Sequence, residues 1–253
     1  MAYLQLHECR HIAVKREGAI TELRLHTEDG PLVWNARAHR ELADVWLWLS
    51  MDEQTKTVIL TGTGDVFCRD IVSPSSERDW QDIWREARRM IAGMVELDVP
   101  IICVANGPAT IHAELILLGD IVLAVPGASF SDQAHVVRGV VPGDGIQVVW
   151  RQLLGPSRAS YYLLTGAEIN CEEARRLGLV HEVWHLDGVY DRARELALPL
   201  TQLSRETLAY TRAALRTEDR RHIADAVAQG LAYAGLAKQS NQQAQPTGSD
   251  YLP

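Results

Sequence analysis

Residues 106–145 read NGPATIHAELILLGDIVLAVPGASFSDQAHVVRGVVPGDG. Two histidines, His112 and His135, and one aspartate, Asp144, lie in this stretch among small and apolar residues. Each of them stands near a Gly or Pro turn, where the backbone can approach a ligand closely. Buried strands are expected at 121–125 and 128–130, between the turns. We therefore expect the three polar side chains to form one site.

The composition indicates one ordinary globular domain, or one domain with an appended helical segment. The chain has 253 residues, of which 47% are hydrophobic and 23% charged, so a full core is possible. Its net charge of -8 and its pI of about 5.6 give it no general attraction to nucleic acid or to an anionic membrane. We expect neither as a partner.

The cysteines and the N-terminus favour a reduced, cytoplasmic protein. The four cysteines form no CxxC pair and show no metal-like spacing. The first residues lack a cationic segment followed by a long apolar one, which is the pattern of a signal peptide. The apolar runs are also too short to span a bilayer.

Hydrophobic periodicity predicts a recurring order of strand, loop and helix. The Glu17-Gly18 pair indicates a hairpin within 11–26, and the polar segment 66–79 is expected to be an irregular active-site loop. Further strands are expected at 57–61, 101–105, 121–125, 128–130 and 179–183. Helices are expected at 36–49, 79–97, 113–118, 145–154, 158–164 and 171–177.

The C-terminal part of the chain has a different pattern. Residues from Asp187 to Gln239 are helical in character almost throughout, and the polar segment after them contains Pro and Gly. The sequence therefore divides into a core at 1–185, a helical region at 186–239 and a flexible tail at 240–253.

Five segments together resemble one family. They are VILTGTGDVFC (58–68), VPIICVANGPA (99–109), DIVLAVPGASF (120–130), GVVPGDG (139–145) and LLTGAEINCEEARRLGLVHEV (163–183). In this order they resemble the crotonase (enoyl-CoA hydratase/isomerase) superfamily over about 11–237. The resemblance implies an α/β fold, a crotonase-like spiral of ββα units with a helical C-terminal region used for trimerisation. It also implies homotrimers, often paired into hexamers.

The chain departs from the members of that family that use CoA. They stabilise an oxyanion or enolate with two backbone N–H groups, which glycines allow to point at one thioester oxygen. Here Thr110-Ile111-His112 replaces the glycine stretch after the Asn-Gly turn, and Cys68-Arg69-Asp70 replaces an Ala-Gly-Ala-Asp-like segment. These replacements argue against chemistry on a CoA thioester.

A closer resemblance is to the subgroup of 6-oxocamphor hydrolase and related β-diketone hydrolases. The segments that carry it are LVWNARAHREL (32–42), ILTGTG (59–64), NGPATIH (106–112), GVVPGDG (139–145) and VVW (148–150). The active-site histidines and aspartate of the subgroup match His112, His135 and Asp144, and a pocket tryptophan matches Trp34. A glutamate on the C-terminal helix of the archetype aligns with Ala234, which cannot contact water in the same way.

The resemblance implies cofactor-free hydrolysis of the C–C bond between two carbonyls of a β-diketone, a retro-Claisen reaction that yields a keto acid. Histidine suits the base that activates water, since its unperturbed pKa is about 6.5. We expect His135 in that role, with Asp144 orienting it. His112 would donate to the enolate oxygen, and Trp34 would add its indole N–H or an apolar wall. Each well-placed donor contributes roughly 3 kcal/mol to transition-state stabilisation.

Other interpretations of these residues remain open. Glu114 aligns near a glutamate that acts as acid or base in CoA hydratases, so a CoA-dependent hydratase or isomerase is one alternative. Here Glu114 is expected at the edge of the substrate pocket or against a buried partner. A catalytically silent subunit is the other alternative. His112, His135 and Asp144 have the chemistry of a zinc site, but the family match argues against a metal. The remaining histidines, including His39, are expected at the surface or in strands.

Overall fold

The computed structural model describes residues 8–72 and 80–244, which form a mixed α/β fold with helices gathered at the C-terminal end. The main sheet has the strand order β1-β2-β4-β6-β7-β10. Its strands are β1 (Ile12–Glu17), β2 (Ile20–Leu25), β4 (Thr57–Thr61), β6 (Ile101–Ala105), β7 (Ile121–Ala124) and β10 (Glu182–Val183). The first pair is antiparallel and the other pairs are parallel.

The hairpin and the central strands follow from their sequences. Gly18 adopts a positive φ of 58° at the turn, so Glu17 pairs with Ile20. Strands β4 and β6 are buried at every residue, as expected for parallel strands that are covered on both faces. Their β-branched residues suit that environment.

Helices cover the sheet and continue into the C-terminal region. Helix α7 packs against β4 and β6, α1 packs against α2, and α2 packs against α9. The helices are α1 (Ala36–Met51), α2 (Trp80–Glu96), α3 (Glu114–Leu117), α4 (Ile146–Leu154), α5 (Pro156–Thr165), α6 (Cys171–Arg176), α7 (Leu186–Thr201), α8 (Arg205–Leu215) and α9 (Thr217–Ala244). Within the described residues, no helix is both long enough and apolar enough to cross a membrane.

A smaller strand layer positions the functional residues. It contains the parallel pair β3 (Leu32–Trp34) and β5 (Cys68–Ile71), and the antiparallel pair β8 (Ser129–Phe130) and β9 (Ile169–Asn170). Ala109 joins the two pairs through parallel bridges to Cys68 in β5 and Phe130 in β8. Strands β3, β5 and β8 therefore run in one direction with Ala109, and their carboxyl ends lie at one edge.

Two predictions for the core are corrected. The segment 66–79 was expected to be irregular, but Cys68–Ile71 forms strand β5, while 73–79 lie outside the described residues. Arg69 and Asp70 are exposed, so this strand lacks the apolar alternation that marks a half-buried strand. The strand expected at 179–183 is confined to Glu182–Val183, and β9 was not predicted.

The C-terminal region is confirmed as helical and divides into α7, α8 and α9. Ser204 caps α8 by accepting a hydrogen bond from the Thr207 amide. Helix α9 continues to Ala244, so the tail expected at 240–253 begins inside this helix. Residues 245–253 lie outside the described residues, and the proposed division into a core and a helical region stays a prediction.

Candidate active site

Five carboxylate and imidazole side chains meet at the edge where the smaller strand layer ends. They are His112, Glu114, Asp132, His135 and Asp144, and all are buried. His112 and Glu114 follow the Ala109 bridge, Asp132 and His135 follow β8, and Asp144 lies in the turn before α4. Two neighbouring segments of the smaller strand layer and the turn before α4 thus bring this cluster together. We call it the histidine–carboxylate cluster.

The Asn106-Gly107-Pro108 turn places His112. A Cβ on Gly107 would lie 1.7 Å from the Asp65 carbonyl oxygen, so only glycine fits there. The amides of Thr110 and Ile111 both donate to the carbonyl oxygen of Cys68, at 2.9 and 3.1 Å. These two N–H groups are therefore occupied by the protein's own backbone.

His112 has a strained backbone and a well-defined ring environment. Its φ of 54° lies in the left-handed region, which is uncommon for a residue other than glycine. Nδ1 lies 2.6 Å from Glu114 Oε1, and the ring lies against Trp34 with a centroid distance of 3.8 Å and an angle of 35° between the ring planes. Burial acts to lower the pKa of His112, but the charges of Glu114 and Asp144 outweigh it and raise that pKa.

Glu114 is completely buried, and its contact with His112 identifies it as a partner that orients this ring. Burial raises the pKa of Glu114, although the nearby His112 opposes this effect. The expectation that Glu114 lies against a buried partner is therefore met, while its contact with a substrate stays a prediction.

His135 is held on both sides. Its Nδ1 lies 2.8 Å from Asp132 Oδ1, and its Nε2 lies 3.2 Å from Asp144 Oδ2. The same Asp132 oxygen accepts the Ala134 amide at 3.1 Å, which fixes the carboxylate in an Asx-type turn. Burial acts to lower the pKa of His135, but the charges of Asp144 and Asp132 and their hydrogen bonds raise it well above 6.5.

Asp144 connects the two histidines. Its Oδ2 is 3.2 Å from His135 Nε2 and 3.7 Å from His112 Nδ1, and the two imidazole centroids are 6.4 Å apart. Burial acts to raise the pKa of Asp144, but His135 and His112 lower it below its usual range. The turn that carries Asp144 packs closely against α9 through Gly143 and Gly230. A Cβ on Gly143 would lie 2.3 Å from the Gly230 carbonyl.

The cluster is incomplete in its hydrogen bonding. One oxygen of each carboxylate is buried and has no hydrogen-bond partner among the described residues. These atoms are Glu114 Oε2, Asp132 Oδ2 and Asp144 Oδ1. Buried polar atoms are normally paired, so orphaned oxygens beside two histidines indicate a place where a ligand or water is handled.

The structure brings together all the site residues expected from the sequence, namely Trp34, His112, Glu114, His135 and Asp144. Asp132 was missed, although the D-x-x-H spacing of an Asx turn before a histidine is a signal for it. The expectation for His39 was wrong: it is buried in α1, 2.8 Å from Glu86 Oε2, and meets Trp34 edge-on at 5.8 Å.

A metal ion fits this cluster poorly. Ligand atoms of His112, Glu114 and Asp144 lie within 4.8 Å of one another, which is a possible metal spacing. However, Nδ1 of His112 and Oε1 of Glu114 are only 2.6 Å apart, which is the distance of a direct hydrogen bond. Two ligands bound to one zinc ion at about 2 Å each stand roughly 3 Å or more apart in tetrahedral geometry. We therefore interpret the contact as a hydrogen bond.

The comparisons with known proteins agree with the fold. A family model for enoyl-CoA hydratase/isomerase matches residues 16–245. Carnitinyl-CoA dehydratase from Citrobacter koseri is 30% identical over 190 residues, covering 73% of this chain and 72% of the relative. The enzyme of the same name from Escherichia coli K12 is 27% identical, covering 83% of this chain and 82% of the relative.

Two solved structures are also similar. One is a β-diketone hydrolase from the cyanobacterium Anabaena, bound to (S)-3-oxocyclohexyl acetic acid, with 33% identity, a TM-score of 0.90, and coverage of 93% of this chain and 97% of that one. The other is an enoyl-CoA hydratase/isomerase from Mycobacterium paratuberculosis, with 25% identity, a TM-score of 0.81, and coverage of 90% and 93%. The expected fold class is confirmed, and the chain belongs to the enoyl-CoA hydratase/isomerase family of the crotonase superfamily.

Proposed function

We propose that this crotonase-fold enzyme is a β-diketone hydrolase that cleaves the C–C bond between two carbonyls without a cofactor. The observation that carries the proposal is the Asp144 carboxylate placed between two histidines, each of which has a second carboxylate of its own. Such a cluster can activate water at one histidine and stabilise a developing oxyanion at the other.

The first step adds water to one carbonyl carbon. The Asp144–His135 pair takes a proton from that water, and a tetrahedral alkoxide forms. The pair suits this role because Nε2 and Oδ2 are 3.2 Å apart in a site from which solvent is largely excluded.

The second step breaks the bond to the central carbon. The bonding electrons pass to the other carbonyl, which becomes an enolate. His112 is the donor for this oxygen, because Glu114 accepts from Nδ1 and leaves Nε2 for a ligand. Trp34, whose ring centroid is 3.8 Å from that of the imidazole, would form an apolar wall beside the substrate. Protonation of the enolate carbon completes a keto acid.

The similar β-diketone hydrolase structure supports this substrate class, since its bound ligand is itself a keto acid. A keto acid is the kind of product that retro-Claisen hydrolysis of a diketone leaves. The substrate proposed for this chain is therefore a small-molecule β-diketone, with a cyclic one as the first to test.

The second candidate is a CoA-dependent hydratase or isomerase that uses Glu114. The names of the carnitinyl-CoA dehydratase relatives favour it. Against it, the Thr110 and Ile111 amides already donate to the Cys68 carbonyl, and Glu114 Oε1 is bonded to His112. A catalytically silent subunit is the third possibility.

One experiment distinguishes the three candidate functions. The protein is incubated in parallel with a cyclic β-diketone and with an enoyl-CoA, and products are measured by NMR and mass spectrometry. We expect a keto acid from the diketone and no change in the thioester. Hydration of the thioester alone would support the CoA enzyme, and no product from either substrate would support a silent subunit.

A variant links the activity to the cluster. We expect His135→Ala to lose hydrolysis while it retains most of the affinity for the diketone, measured by calorimetry. Near-normal turnover in this variant would contradict a role for His135.

We further propose a homotrimer or a dimer of trimers, with 186–239 contributing to trimerisation, in a protein of the cytoplasm. Large apolar side chains, including Tyr161, Leu164 and Leu215, are more than half exposed in the single chain, as expected for residues that pack between subunits. Light scattering on a gel-filtration column would measure the mass, and a monomer would contradict this assembly.

A further inference from the structure

Both ring nitrogens of His135 face carboxylate oxygens, at 2.8 Å from Asp132 and 3.2 Å from Asp144. An ionised carboxylate only accepts hydrogen bonds, and a neutral imidazole carries one N–H. Each of the two contacts therefore needs a proton of its own. Wherever the second proton lies, neither nitrogen of His135 offers a free lone pair to a water molecule.

The surrounding charges decide where that proton lies. Asp132, from the loop after β8, and Asp144, from the turn before α4, touch the ring directly. His112 opposes them, but its ring centroid is 6.4 Å away and it has its own partner in Glu114. His39 contributes to lowering the pKa of Asp144. Two adjacent carboxylates against one more distant imidazole favour the charged ring, as the raised pKa of His135 also indicates.

We propose that Asp132 is a positioning residue that keeps His135 as an imidazolium, and that Asp144 Oδ1 is the atom that takes the proton from the attacking water. This inference rests on the proposed hydrolysis and changes the identity of its base. Oδ2 of Asp144 is occupied by His135, whereas Oδ1 is buried and has no partner among the described residues.

Asp144 alone can accept and return the proton that moves during the reaction. The water oxygen bonds to the carbonyl carbon, and one water proton moves to Oδ1. The C–C bond breaks, its electron pair forms the enolate, and the protonated Asp144 returns its proton to the enolate carbon. The products are a ketone and a carboxylic acid in one molecule, and the carboxylate of Asp144 is restored. His135 remains charged throughout and holds Oδ2.

The protonation state of His135 can be measured without a substrate. Imidazole nitrogens are labelled with ¹⁵N, and the His135 signals are identified by their loss in His135→Asn. We expect both nitrogens to be protonated at pH 7.5 in the unliganded enzyme. A neutral ring with one unprotonated nitrogen at this pH would overturn the proposal.

The pH dependence of kcat/KM for the diketone tests whether Asp144 or His135 is the base. We expect full activity throughout the range in which the spectra show the imidazolium. Activity that appears only as His135 loses its proton would identify the ring as the base and would overturn the assignment to Asp144. An imidazolium spectrum without any diketone turnover would instead reject the proposed function and leave the role of Asp132 supported.

Asp132→Asn tests the positioning residue. Its amide oxygen can still accept from Nδ1, but the charge is gone, so we expect the His135 titration to move down by about one pH unit or more. Asp29→Asn is the matched control, since it removes the same charge from a fully exposed side chain and should leave the titration unchanged. An unmoved titration in Asp132→Asn would contradict the proposal. The wild-type spectra decide the matter if that variant does not fold.

Discussion

Two charge clusters in this chain, one buried and one partly buried, differ in how completely their atoms are paired. The anchoring cluster consists of Asp120, Arg212 and Arg216 and docks the C-terminal helices on the core. Both oxygens of Asp120 are bonded, and Arg212 also donates to the backbone carbonyls of Met94, Val95 and Leu97. The histidine–carboxylate cluster leaves one oxygen unpaired on each of its carboxylates, within the described residues.

This difference distinguishes charged residues that stabilise the fold from charged residues that are available for a reaction. In a fully paired cluster, the ion pairs and hydrogen bonds offset the desolvation of the charges and fix their geometry. No atom of such a cluster is left to contact a substrate. An incompletely paired cluster costs stability, and that cost is tolerated where the orphaned atoms contact a ligand. Substitutions should therefore affect turnover in one cluster and unfolding in the other.

The largest effect is expected from Asp144→Asn. The amide keeps the shape of the carboxylate but cannot accept a proton, so kcat should fall by about 10,000-fold, as it does when the charge is removed from a catalytic carboxylate–histidine pair. Steady-state kinetics on the diketone would measure it. Asp191→Asn, on an exposed side chain, is the control. A fall of less than tenfold would show that this carboxylate is not the base.

The next effect concerns stability. Arg212→Met removes the buried partner of the ion pair with Asp120 and leaves three carbonyls without their donor, so the free energy of unfolding should fall by about 3–5 kcal/mol. Chemical denaturation would measure the loss, and kcat per folded molecule should stay near the wild-type value. Arg176→Met is the control, since its pair with Glu173 is exposed. Equal losses in both variants would remove the anchoring role.

A smaller loss of activity is expected from His112→Ala. Removing one donor to a developing oxyanion should reduce kcat by about 100-fold to 1,000-fold, with a smaller change in KM. His222→Ala, at an exposed position on α9, provides the control for loss of an imidazole. An unchanged kcat would show that His112 is not the donor to the enolate.

The smallest effect is expected from Gly230→Ala. A Cβ there would lie 2.7 Å from the Gly143 backbone, so α9 and the turn that carries Asp144 must separate. A displacement of roughly 1 Å in a catalytic group costs up to about 100-fold in rate, and we expect a loss within that limit. Gly188→Ala is the matched helical control, because its Cβ would make an ordinary 3.7 Å contact with Trp184. Equal rates in the two variants would show that the close contact does not position Asp144.

The positions of the long helices and strands could be predicted from the sequence, as could the location of the candidate site within residues 106–145. Helices α1 and α2 and strands β4 and β6 have strong periodicity or continuous apolar runs, and they form where expected. Strand β5 could not be predicted, because Arg69 and Asp70 are polar and its pairing with β3 depends on a distant segment. Asp132 was overlooked because an aspartate in a turn is more often a local cap than a partner of a histidine.

The sequence by itself determined the family, the order of the elements and the candidate residues Trp34, His112, Glu114, His135 and Asp144. Only the tertiary structure decided which carboxylate faces which nitrogen. Asp144 was expected to orient His135 and Asp132 was not considered, yet Asp132 contacts Nδ1 and Asp144 contacts Nε2. The physical reason is that periodicity records which residues are buried, whereas hydrogen bonds between segments depend on how the parallel strands and their turns meet at one edge.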